Sequence, residues 1–154
     1  MAYGSVAIKA VSLPLPLPVA HSPDGRFLAA AIGYQWANKL PGEVRVWRVD
    51  TWELVWRFRG YQEIVYSIAF SPDGRRLASA GGRGTGRYEV KVWDLTTGQE
   101  VWTLPKPPKG SCYDVAFSPC GRRLALTGTG SKLLLNDGTP LAESPTYQPL
   151  PEHP

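Results

Sequence analysis

Histidine and cysteine are nearly absent from this 154-residue chain, which has two of each and a single methionine. Reactive chemistry is correspondingly thin. No His-Cys-Asp-Glu cluster has metal-ligand spacing, and no Ser-His or Cys-His pair stands where repeat geometry would join it. Neither a metal site, a cofactor nor an enzyme activity is therefore expected. No run of 18 apolar residues occurs in the sequence, so no transmembrane helix and no membrane partner are expected. Like charges never cluster: 17 basic and 13 acidic residues are spread along the length for a net charge of +4. A nucleic-acid footprint would need those cations on one face, so a nucleic-acid partner is not expected either. The opening "MAYGSVAIKAVSLPLPLPVAHS" has a lysine and an apolar run, but Pro14, Pro16 and Pro18 would break the helical core of a secretion signal. Cys112 and Cys120 flank one short strand of about 26 Å and cannot bridge. As free thiols they suit a reducing compartment, and a cytoplasmic location is expected.

What the chain does have is aromatics and turns. Six Trp, seven Tyr and four Phe stand beside 16 Gly and 15 Pro. "SPDGR" occurs at 22–26 and 71–75, and returns as "SPCGR" at 118–122. The proline presets φ for the first central turn position and the glycine takes a positive φ before the chain reverses. Aligned on that turn, the chain gives three lines: "VAHSPDGRFLAAAIG" then "GEVRVWRVDTWELVWRF", "IAFSPDGRRLASAGG" then "YEVKVWDLTTGQEVWTL", and "VAFSPCGRRLALTGTG" then "SKLLLNDGTPLAE". Each holds a strand, the turn, a second strand, a loop, a third strand centred on Trp47, Trp93 or Asn136, and a short turn toward a fourth strand. The unit is a four-stranded antiparallel meander, and helices should be nearly absent.

The combination "SIAFSPDGRRLASAGG…EVKVWDLTTGQEVWTL" resembles the WD40 repeat family, whose units form blades of a β-propeller. That resemblance covers residues 5–142 and implies an all-β segment of three blades. The expected boundaries are an N-terminal outer strand at 5–13, blades at about 14–60, 61–108 and 109–142, and a Pro-rich tail at 143–154. The family's Gly-His pair reads Gly60-Tyr61 and Gly110-Ser111 here, and its second-strand Ser survives only as Ser79. Its buried Asp-His-Ser-Trp network therefore cannot form intact, and apolar and aromatic packing is expected to hold the blades. His21, in the slot of Phe70 and Phe117, is expected to pack between blades, and Trp47 and Trp93 to be buried.

Two glycine-rich stretches, "GGRGTG" at 81–86 and "GTGSK" at 128–132, precede strands rather than a helix N-terminus, so they are expected to be loops and not phosphate cradles. Asp50, Asp94 and Asp137 recur after the third strand as turn formers. Between the second and third strands the loops vary in length, and they bring Tyr34, Trp36, Lys39, Arg83, Arg87 and Tyr88 to one rim, where Tyr61 also falls. Trp, Tyr and Arg dominate binding hot spots, so these seven are the candidate partner-binding residues. The WD40 resemblance implies a non-catalytic protein-interaction scaffold; the alternative is a small-molecule or saccharide binder using Tyr34 and Trp36. Three blades do not close a ring, since propellers use about four to eight. A homodimer making six blades is expected, with a nine-bladed trimer or completion by a different chain as the alternatives.

Overall fold

The structure is a computed structural model that describes residues 18–34, 40–82, 88–104, 110–128 and 132–135. All regular structure among them is β, in three antiparallel sheets whose strands follow one another in chain order. The first blade comprises β1 (Val19–His21), β2 (Phe27–Tyr34), β3 (Leu40–Arg48) and β4 (Leu54–Phe58). The second comprises β5 (Val65–Phe70), β6 (Arg76–Gly81), β7 (Glu89–Asp94) and β8 (Glu100–Thr103). Three described strands form the third: β9 (Cys112–Phe117), β10 (Arg123–Gly128) and β11 (Lys132–Leu135). The outer strand expected at 5–13, a fourth strand for the third blade, Asp137 and the tail lie outside the described residues.

The repeated turn is held by its own side chains. Ser22 and Ser71 each donate a hydroxyl hydrogen bond to the aspartate two residues on, at 2.6 Å, and that carboxylate accepts the N–H of Arg26 or Arg75 at 3.0 Å. The same serine oxygens, and Ser118 in the third turn, accept the N–H five residues on at 2.9, 2.9 and 3.0 Å. Gly25, Gly74 and Gly121 take φ of 70°, 69° and 71°, as the reversal requires. The turns also touch one another. A Cβ placed on Gly74 would lie 3.9 Å from Pro23, and one on Gly121 would lie 3.5 Å from Pro72. The proline of each turn therefore rests on the glycine of the next.

Period-2 alternation gives the second blade two different faces. Leu77 and Trp93 join Ala29, Ala31, Val44, Val46, Phe58 and Tyr61 in the core between the first and second blades. Ala78, Ala80, Val90 and Val92 turn the other way and pack on Val115, Leu124 and Leu126 of the third. The first strands neighbour one another: β5 lies against β1, β2 and β3, and β9 against β5 and β6. Aromatic stacking seals the first junction, with the Phe58 and Trp93 rings 4.5 Å apart at 15°. The Trp56 indole donates to the Leu95 carbonyl at 3.2 Å, and its ring sits over Gly98, where a Cβ would lie 2.1 Å from it.

Three expectations change. Leu28 faces Trp47 and Leu77 faces Trp93, but the residue facing Leu124 is Leu134, so the third blade places an apolar residue, and not Asn136, at the tryptophan position. The run Leu133-Leu134-Leu135 looks alike in either frame, and only the ladder chooses. Trp93 is buried while Trp47 is only half-buried, because the stack on Phe58 has no counterpart for Trp47 among the described residues. His21 is exposed, whereas Phe70 and Phe117 pack against the two cores.

Candidate functional site

The ends of β2, β4, β6, β8 and β10 and the starts of β3, β5, β7, β9 and β11 share one rim, opposite the repeated turns. Of the residues assigned to it from sequence, Trp36, Lys39, Arg83 and Arg87 lie outside the described residues. Tyr34 closes β2, its backbone paired with Leu40. Tyr61 and Tyr88 are each only 2% exposed, so neither offers its ring to a partner. Tyr88 belongs to the core between the second and third blades, where burial raises its hydroxyl above the usual tyrosine range.

Tyr61 has a different role. Its hydroxyl accepts the Trp93 indole N–H at 2.8 Å and lies 2.6 Å from the Ser79 hydroxyl, which donates onward to the Lys91 carbonyl at 3.3 Å. Tyr61 stands where the family has histidine, and it bridges the family's Ser and Trp positions. The second blade therefore keeps a buried polar relay, contrary to the expectation that apolar packing alone holds it. Burial pushes the Tyr61 hydroxyl well above the usual range, so it stays protonated and available to both partners. Above this relay the Lys91 ammonium lies 5.9 and 6.0 Å from the Tyr61 and Trp93 ring centres, and it binds Glu100 and Thr103 at 3.0 Å each.

At the rim of the first blade Glu43 is held between Arg45 and Arg59. Burial works against its charge, yet the two guanidinium hydrogen bonds outweigh it and keep the carboxyl below its usual range. Closer to the inner strands, Tyr66 and Tyr113 meet edge to face with centroids 6.3 Å apart, and Tyr113 is 55% exposed. Beside them the Ser67 hydroxyl donates to Asp114 at 2.6 Å across the blade boundary. Sequence reasoning missed this group, although "VYSIAF" and "CYDVAF" place a tyrosine at the same point of both repeats. Strict alternation reads that position as an ordinary ladder residue, and only the irregular register described below turns it outward. Among the described residues no group of three or more His, Cys, Asp or Glu is arranged to hold a metal ion.

A family model described as WD domain, G-beta repeat (WD40) matches residues 52–94, from the turn before β4 through β7. The chain is 45% identical over 47 residues to the ribosome biogenesis protein ERB1 of Chaetomium thermophilum and to that of Neurospora crassa. Each match covers 30% of this chain but only 5% and 6% of those proteins. Among solved structures, the β-propeller domain of Myceliophteria thermophila Cps50 (Swd1) superposes with a TM-score of 0.62 at 23% identity, over 77% of this chain and 34% of that one. The stretch from β4 through β7 thus matches a WD40 repeat, and the chain has the fold of a β-propeller segment.

Proposed function

We propose that the chain is a non-catalytic protein-interaction scaffold that engages its partner through the loop rim. One observation carries this reading: the rim of Ser-Pro-x-Gly turns is nearly identical from blade to blade, whereas the opposite rim changes loop length and side chains at every blade. Variation confined to one rim of a repeated frame is what a recognition surface looks like. Tyr34, Trp36, Lys39, Arg83 and Arg87 are its proposed contacts. Free thiols at Cys112 and Cys120 fit a reducing, cytoplasmic setting. Affinity capture with the intact chain and with a variant lacking residues 34–41 tests the rim. Loss of a partner on deletion supports it, and equal recovery overturns it.

The finer proposal concerns the open faces. Among the described residues, no proline rests on Gly25 as Pro23 rests on Gly74 and Pro72 on Gly121, and Pro119, at the other end of the arc, has no following turn to rest on. A second copy supplies both, Pro119 of each chain resting on Gly25 of the other, in a six-bladed homodimer with two-fold symmetry. Light scattering at twice the monomer mass is expected. A mass of three times the monomer, or a monomer, overturns the dimer.

A further inference from the structure

Tyr66 and Tyr113 are the extra residues of two β-bulges at the same place in consecutive blades. In the second blade Val65 faces Gly81 and Ser67 faces Ala80, leaving Tyr66 between them. In the third, Cys112 faces Gly128 and Asp114 faces Thr127, leaving Tyr113. A bulged residue leaves the ladder and is re-aimed. Both bulges depend on a bare glycine opposite: a Cβ on Gly81 would lie 2.1 Å from the Ile64 carbonyl oxygen, and one on Gly128 would lie 2.1 Å from that of Ser111. The repetition brings the two rings together across the blade boundary. Immediately after each ring come Ser67 and Asp114, joined at 2.6 Å, and the same aspartate oxygen accepts the Val115 N–H at 2.9 Å. Those two bonds fix the carboxylate, which is exposed and forms no ion pair with any described residue.

We propose that Tyr66, Tyr113 and Asp114 form a docking point for a lysine or arginine side chain of a protein partner. This rests on the scaffold reading and names the chemistry of the segment that docks. A tyrosine face attracts a cation through its quadrupole, and Asp114 supplies the counter-charge from a position already fixed by Ser67 and the backbone. An apolar side chain set here would strip water from the carboxylate without pairing it, and an acidic one would be repelled. Tyr66 holds Tyr113 edge-on, so the outer ring is oriented before the partner arrives.

The test is an NMR titration of the labelled chain with two short Gly-Ser peptides, one with a central lysine and one with norleucine in its place. The lysine peptide should move the amides of Tyr66, Tyr113 and Asp114 along a saturating curve, and the norleucine peptide should leave them in place. Asp114→Asn and Tyr113→Ala should each weaken the lysine peptide by about two- to fivefold, the worth of an exposed cation–π or charge contact, with thermal melting unchanged. Silence from both peptides, equal shifts from norleucine, or undiminished binding by Asp114→Asn overturns the docking point. A partner lost on deletion of 34–41 but retained by both substitutions overturns it too, while leaving the scaffold reading in place.

Discussion

Tyr61 carries more of the second blade than its place at the edge of a loop suggests. Its hydroxyl serves Trp93 and Ser79 at once, and all three side chains are buried. Tyr61→Phe keeps the ring but leaves the buried Trp93 indole N–H without its acceptor, while Ser79 retains the Lys91 carbonyl. It should therefore destabilise the chain by about 1–3 kcal/mol, the cost of one buried polar group left unpaired. Urea unfolding measures it. The two cysteines differ as sharply. Burial pushes the Cys112 thiol up to about 11, while its hydrogen bond with Ser118 holds Cys120 below the ordinary thiol range. Iodoacetamide at neutral pH should therefore modify Cys120 and reach Cys112 only on unfolding. Because the folded chain holds the Cys112 proton more tightly than the unfolded chain does, this group's contribution to stability is complete below its ordinary value of 9.0 and is lost as pH rises through about 11. Cys112→Ala should flatten that limb of the pH-stability curve, and an unchanged slope would assign the loss to other groups.

At the scale of the element, the second blade owes its position to close approaches. Trp93→Ala removes the ring stacked on Phe58 and should cost about 3–5 kcal/mol. Gly81→Ala tests a bulge without any helix-like or left-handed complication. Its Cβ would meet the Ile64 carbonyl, so the start of β5 must shift. A loss of about 1–3 kcal/mol accompanied by displaced Tyr66 resonances in NMR is expected. Most strands could be read from the sequence because Pro, Gly and β-branched residues mark them locally, and "SPDGR" or "SPCGR" marks the first turn of each blade. What escaped was non-local. The register of Leu134, the exposure of His21 and the bulges at Tyr66 and Tyr113 are decided by a partner strand or blade, and no short window contains that partner. Tyr61 escaped for a related reason: a missing histidine is visible in the sequence, but its replacement by a tyrosine of matching reach requires the ring to be seen against Trp93.

Across the whole molecule, the three blades are covered unequally. β6 buries nearly every residue, whereas β10 alternates exposed and buried ones, since the third blade is packed on a single face among the described residues. Hydrogen exchange should be fastest there, in 112–128, and faster exchange in the second blade than in the third would contradict the packing. The two junctions of the second blade also differ in kind. The one with the first blade stacks Phe58 on Trp93 and carries the Trp56 indole bond to Leu95, whereas the one with the third is chiefly Ala, Val and Leu, with Ser67 bonded to Asp114 and Val115 at its edge. Aliphatic burial weakens on cooling, and hydrogen bonds do not share that dependence. With its aliphatic core covered on one face only, the third blade should therefore be the first to loosen on cooling.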